Sequence, residues 1–280
     1  MTPRWVVYDE PAGGGGGGLW DPSQFPAGDL RLWLRADEPT VYDATSGGNV
    51  VTTDGATVRR WEDDAGIHTG SSALACSQAT APQLKTNILN GKPVVRITDD
   101  TAGFIRINPP IYGNSPSSIG IVMLANPVAG NGAWISVNNF SPWITRENSR
   151  ISLRSASWLA NVNTTRYDSS ADVPDNVWLM ASGVMDFANS AVTWDLDGGV
   201  LTRSYTVTFN PTTASDVGRI NLGCRYAETT DVPGLDVAEV VFYTNDGTAA
   251  TRHKVEGYIA HKWGVTGNLP NSHPYKNAAP

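Results

Sequence analysis

From Asp29 onward, apolar and polar positions alternate in short runs. Leu30, Leu32 and Leu34 alternate with Arg31, Trp33 and Arg35, the period of two expected of a strand with one buried face. The same reading predicts strands at Thr57–Trp61, Pro93–Ile97, Phe104–Ile107, Ile119–Leu124, Ala133–Val137, Arg150–Leu153 and Trp158–Val162. It continues through Val177–Val184, Ala191–Leu196, Thr202–Phe209, Arg219–Gly223 and Val237–Tyr243. Many short strands separated by Gly, Pro, Asn and Asp turns point to an all-β sandwich or barrel. Asp197-Gly198-Gly199 is the clearest hairpin turn, because the glycines accept positive φ. One helix is predicted over 248–263. Thr248 can cap it, Val255, Ile259 and Trp263 form an apolar stripe, and Gly264 can end it. The proline-rich stretch from Asn268 to Tyr275 cannot continue that helix and should run extended over the surface.

The first residues break this pattern. Trp5-Val6-Val7-Tyr8 is an apolar patch, and six glycines follow from Gly13 to Gly18 before Leu19-Trp20. Six consecutive glycines resist both helix and strand, so a flexible spacer or a backbone that must fit a tight place is expected. Residues 1–28 are expected to form an arm whose Trp5, Val6, Val7, Tyr8 and Trp20 anchor the chain to a neighbour or to a sheet edge. Residues 29–280 form the second unit, a single domain that includes the helix and the extended tail.

Composition agrees with a turn-rich β protein. Gly and Pro occupy 46 of 280 positions and only 17% of residues are charged. The net charge is −7 and no Lys/Arg cluster occurs, which argues against nucleic acid as a partner. Cys76 and Cys224 fit no metal spacing, and buried thiols are favoured over a single bridge. No apolar stretch approaches the roughly 20 residues of a spanning helix, and residues 1–5 lack a signal-peptide core. A soluble chain without a visible export signal is expected.

Five ordered segments carry a family resemblance. They are Leu32-Trp33-Leu34-Arg35-Ala36-Asp37, Val58-Arg59-Arg60-Trp61-Glu62-Asp63, Asn90-Gly91-Lys92-Pro93-Val94-Val95-Arg96, Ala238-Glu239-Val240-Val241-Phe242-Tyr243, and the helix from Val255 to Gly264. Together with the closing Leu269-Pro270 and His273-Pro274-Tyr275, this set resembles the concanavalin A-like lectin/glucanase (LamG-like) jelly-roll domains found in phage virion proteins and large bacterial surface proteins. The resemblance spans about residues 29 to 276. It implies a two-sheet antiparallel jelly-roll sandwich with Gly257-Tyr258 of the terminal helix against a sheet. An arm plus a single jelly roll, with no visible signal peptide, fits a phage structural protein of the virion better than a secreted bacterial adhesin, and the expectation is assembly in the host cytoplasm with other capsid or tail proteins and further copies of itself as partners.

The resemblance does not fix an activity, because this fold hosts lectins, hydrolases and inert modules alike. Hydrolase members carry a Glu-x-Asp-x-(x)-Glu run, and the seven Glu here are isolated. Asp195-x-Asp197 is the nearest substitute, although Asp197 reads more simply as a turn residue. No Ser or Cys nucleophile context is present. His253 and His261 lie two helical turns apart, about 12 Å, too far to share a metal. Glu62-Asp63-Asp64, Asp99-Asp100 and Asp195/Asp197 are oxygen-rich turns that could take calcium, but none has EF-hand spacing. No cofactor, no metal and no catalytic residue is expected, and Asp63 reads as a structural acceptor.

Ten Trp and nine Tyr against six Phe are the most suggestive residue choice. Aromatics with a polar edge suit sugar platforms and subunit interfaces. Trp33, Trp61 and Trp263 lie in the framework segments. Trp134, Trp143, Trp158 and Tyr167, near Arg146, Arg150 and Arg154, are the candidate glycan or partner face. Two roles emerge: a capsid decoration or head-fibre subunit held by its arm, or a carbohydrate-binding receptor module of a tail fibre or adhesin that recognises a cell-surface glycan.

Overall fold

Alternation along β1 (Leu30–Arg35) places Leu32 and Leu34 in one apolar layer and Trp33 in another. The chain, seen in a computed structural model, is described for residues 19–98, 102–106, 117–137, 143–157, 162–169, 172–186, 189, 191–200, 203–206, 220–224, 229 and 231–280. For some strand residues, 143, 153–157 and 162–168 among them, only the backbone is described. After β1 come β2 (Val41–Tyr42), β3 (Arg60–Trp61), β4 (Leu74–Ala75), β5 (Gln83–Leu89), β6 (Lys92–Ile97) and β7 (Phe104–Arg106). The middle of the chain forms β8 (Ser118–Ala129), β9 (Gly132–Val137), β10 (Trp143–Glu147), β11 (Arg150–Ser157) and β12 (Val162–Asp168). The remainder is β13 (Leu179–Asp186), β14 (Ala191–Leu196), β15 (Gly199–Val200), β16 (Arg203–Thr206), β17 (Ile220–Leu222), β18 (Gly234–Thr244) and helix α1 (Ala249–Trp263).

These strands form two antiparallel sheets packed as a sandwich. The first runs β15-β14-β13-β8-β18-β6-β5, with β1 also on β18; the second runs β16-β12-β11-β10-β9-β17-β7-β4-β3-β2. Between them lie Leu32, Leu34, Ile121, Met123, Val240 and Phe242 of the first sheet against Phe104, Ile135, Ile144 and Leu222 of the second. The first sheet is buried on its other face as well, where Val122, Leu124 and Val241 meet Val255, Ile259 and Trp263 of α1. This double burial explains why β8 and β18 are nearly continuous apolar runs.

Helix α1 follows its end signals. Thr248 Oγ1 accepts the Thr251 N–H at 3.2 Å, and Gly264 closes the helix at φ 69°. The turn at Asp197-Gly198, with φ 54° and 74°, joins β14 to β15 as the hairpin signal predicts. Strands β2, β4, β5, β10 and β15 add to the predicted set. β5 gives no clean alternation because a register irregularity containing Asn87, at φ 59°, interrupts its pairing with β6. Of the expected Trp158–Val162 strand, 158–161 lie outside the described residues and β12 begins at Val162. Cys76 and Cys224 are buried thiols rather than a disulfide. Among the described residues no helix is long and apolar enough to cross a membrane.

Candidate functional site

Trp5, Val6, Val7 and Tyr8 lie outside the described residues. Trp20, at the root of the arm, donates its N–H to the carbonyl of Pro280 at 3.0 Å, so the two ends of the described chain meet. Its ring packs edge-on against Phe25 (5.5 Å) and Tyr258 of α1 (6.3 Å), under the Lys254 ammonium at 5.6 Å. Trp20 itself therefore sits on the helix-covered side of the sandwich, with the first sheet between it and the second.

The four candidate face residues do not form one patch. Trp134 is 0% exposed and belongs to the inter-sheet core, which removes it from any ligand face. The cause is a β-bulge: Ile144 pairs with Ile135 but Thr145 pairs with Ala133, so Trp134 is the extra residue in β9. Two consecutive side chains, Trp134 and Ile135, then enter the same layer. Trp158 lies outside the described residues, and Tyr167 occupies the β12 position opposite Leu153. Trp143 begins β10 in register with Ser136 on one side and Arg154 on the other, and Arg154 pairs in turn with Arg166.

The carboxylates described in most detail hold internal partners. Asp63 accepts the backbone N–H groups of Trp33, Ala65, Ile67 and His68 at 2.6–3.1 Å, the structural role expected of it. Burial still pushes its carboxyl up, against those four bonds. Asp64 pairs with Arg35 at 2.7 Å, and Glu62 accepts from Gly70 N and lies 3.0 Å from Arg60 Nε. Glu239 ties β1, β18 and α1 together: it accepts Trp33 Nε1 and Trp263 Nε1, each at 2.6 Å, and Lys262 Nζ at 2.7 Å. Asp99 and Asp100 lie outside the described residues. Asp197 accepts the Met180 N–H at 2.8 Å in its turn, and burial pushes its carboxyl up to about 6. The Asp195–Asp197 pair is therefore divided between a turn and the underside of α1.

That underside holds a cluster of ionisable groups. Asp195 of β14 and Ser182 of β13 are register partners facing α1. Arg252 Nη2 stands 2.5 Å from Asp195 Oδ2, and Arg252 Nε stands 3.3 Å from Glu256 Oε1 one helical turn on. Ser182 Oγ donates to Glu256 Oε1, while His273 of the tail lies with Nε2 3.0 Å from Glu256 Oε2. Asp195 and Glu256 are both 0% exposed. Burial pushes Asp195 up to about 6 even though Arg252 pulls it down. His253 flanks the group, its ring 5.0 Å from that of His273, and burial lowers its basicity.

His253, Glu256 and His273 bring ligand atoms within 4.8 Å of one another, as a metal site would require. The hydrogen bonds favour another reading. Tyr275 donates its N–H to His273 Nδ1 at 3.2 Å, which leaves the ring proton on Nε2 for Glu256. A metal at Nε2 would have to displace that proton while Nδ1 still accepts. Arg252 also already supplies a cation to both carboxylates. Sequence spacing pairs His253 with His261, but His261 Nε2 instead meets the Tyr275 carbonyl at 2.8 Å. The partner of His253 is 20 positions away, with no spacing signal to mark it.

No protein-family model matches the sequence, and no curated protein matches it either. Solved structures do share the fold. Botulinum neurotoxin type C, whose cell entry depends upon interaction with two ganglioside molecules, superposes with a TM-score of 0.50 at 13% identity over 78% of this chain and 49% of that one. The binding domain of botulinum neurotoxin serotype D/C VPI 5993 gives 0.50 at 10% identity, over 80% and 50%. A Trypanosoma rangeli sialidase in complex with 2,3-difluorosialic acid gives 0.46 at 10% identity, over 81% and 32%. The chain thus spans about half the length of the neurotoxin chains and a third of the sialidase. At these identities the two neurotoxin matches show the β-sandwich fold alone.

Proposed function

We propose that the protein is a non-catalytic, lectin-like display module, carried on a larger assembly by its N-terminal arm, with a phage virion as the assembly to which the sequence resemblance points. The observation that supports it is the seat of Trp20. Its N–H bond to Pro280 and its packing on Tyr258 hold the root of the arm on the helix-covered side, opposite the second sheet. In the sequence, Gly13 to Gly18 stand between the apolar patch at Trp5 to Tyr8 and Trp20, and six residues can reach at most about 20 Å. The internal partners of Glu62, Asp63, Glu239 and Glu256 support a non-catalytic reading, since a hydrolase needs two carboxylates open to its substrate.

A second reading, glycan recognition by the same module, is favoured by the register of β10 to β12. Trp143, Arg154 and Arg166 occupy paired backbone positions in one transverse row. Aromatic and arginine residues of this kind recognise sugars and their acidic substituents. One experiment has two arms. Deleting residues 1–18 should leave a folded protein that no longer enters particles, and normal incorporation would sink the anchor role. On a glycan array, Trp143→Ala should abolish any specific signal of the wild type; an unchanged signal would move the ligand face elsewhere.

A further inference from the structure

Beneath α1, two fully buried carboxylates, Asp195 and Glu256, share one guanidinium, that of Arg252. His273 is neutral when its Nδ1 accepts from Tyr275, so the buried cluster carries one negative charge more than it balances. A buried charge without a counter-charge is unfavourable, and the simplest relief is uptake of one proton. We propose that Asp195, Arg252, Glu256 and His273 form a proton-strengthened clasp, which takes up one proton on mild acidification and then holds the C-terminal tail more firmly on the sandwich.

Every element around His273 contributes a facing group. From α1 come Arg252, His253 and Glu256, and His261 reaches the tail through the Tyr275 carbonyl. From β14 comes Asp195, and the adjoining turn contributes Asp197 and packs Gly198 on the imidazole, where an added Cβ would lie 3.0 Å from His273 Cδ2. β13 contributes Ser182. β18 contributes the buried Tyr243 hydroxyl, which has no hydrogen-bond partner among the described residues.

The proton has a preferred place. On His273 Nδ1 it would set two donors face to face, the new N–H and that of Tyr275. On Asp195 it meets no such conflict, because Asp195 Oδ1 has no hydrogen-bond partner among the described residues. Burial pushes Asp195 up to about 6, so between about pH 7 and 5 the folded state binds a proton that the unfolded state does not. Stability from this group therefore rises as pH falls. His253 works in the opposite direction, since its lowered basicity makes charging it in the folded state unfavourable. With Asp195 neutral, Arg252 is left to Glu256, which carries the tail through His273. The tail in turn holds the root of the arm through Pro280 and Trp20.

The test is thermal unfolding of the full chain in chelator-containing buffer at pH 7.5 and 5.0, repeated for Asp195→Asn and Glu256→Gln. The wild type should gain about 3 °C from Asp195 on acidification, and Asp195→Asn should lose that gain. Hydrogen exchange of the amides at 273–280, corrected for intrinsic rates, should slow at pH 5.0 more in the wild type than in Asp195→Asn, which keeps only the smaller acid gain of Asp197. If Asp195→Asn does not fold, Glu256→Gln serves, because it also removes the excess negative charge and should flatten the same pH dependence. An equal acid gain in wild type and variant would overturn the proposal. So would a rise in wild-type Tm at pH 7.5 on adding Zn²⁺ without chelator, absent in His273→Gln, since the missing charge would then be a metal ion.

Discussion

Trp134 shows how one backbone irregularity redirects a side chain. Strict alternation would set it and Ile135 on opposite faces of the second sheet, and the bulge against Ile144 and Thr145 sends both into the core. An indole that is fully buried there acts on stability and not on ligands. Trp134→Ala should destabilise the fold by about 3–5 kcal/mol, the usual range for a large aromatic removed from a core. Urea unfolding would register this as a lower midpoint, and glycan binding below the transition should be unchanged. Other residues were legible from local chemistry alone. Asp197 before Gly198 announces a turn, and Asp63 accepts mostly from amides within five positions of itself. The cluster beneath α1 was not legible, because Ser182, Asp195, Arg252, Glu256 and His273 come from four separate stretches of chain. Each of them alone has an ordinary surface or turn explanation.

Helix α1 could be read from sequence to within one residue because its signals are local: a capping Thr, a four-residue apolar stripe and a terminal Gly. The same stripe fixes its seat, with Val255, Ile259 and Trp263 all buried on the outer face of the first sheet. Strands β2 and β4 leave no signal in the sequence for a different reason. Each is two residues long and exists only through partners distant in the chain, so neither carries a period of its own. The helix end offers a direct check. Gly264 sits at φ 69°, and a Cβ there would approach Asn90 Nδ2 to 2.7 Å, the same amide that hydrogen-bonds the Trp263 carbonyl at 2.6 Å. Gly264→Ala should therefore cost about 1–2 kcal/mol from the left-handed backbone, with any displacement of Asn90 adding to it. Chemical denaturation of the variant, alongside Asn90→Ala, would separate the backbone contribution from the Asn90 cap.

Taken together, the layers run second sheet, first sheet, then helix with tail, and the outermost layer is held differently from the inner two. Among the described residues, the sheets meet through a large apolar cluster, whereas the tail is fastened by a few polar and steric points. His273 meets Glu256, Tyr275 lies against Gly257 where a Cβ would come within 2.5 Å, and Pro280 accepts from Trp20. Lys276 Nζ donates to the carbonyls of Thr266, Gly267 and Leu269 at 2.6–3.0 Å. Ending the chain after Leu269 removes all of these and leaves Glu256 Oε2 without its imidazole partner, so a buried carboxylate loses a hydrogen bond. The apolar inter-sheet core is untouched by the truncation. The expected outcome is a folded protein with a Tm lower by several degrees, since loss of one or two kcal/mol moves a domain of this size by about 2–4 °C per kcal/mol. Limited proteolysis should cut it faster near residues 19–29, whose bond to Pro280 is gone. Hydrogen exchange in β9, β10 and β17 should stay as protected as in the full chain, because those strands draw on the layer between the sheets. Uniform loss of protection across both sheets would instead mean that the tail and the sandwich unfold as one unit. The clasp beneath α1 would then support the whole fold and not its outer layer alone.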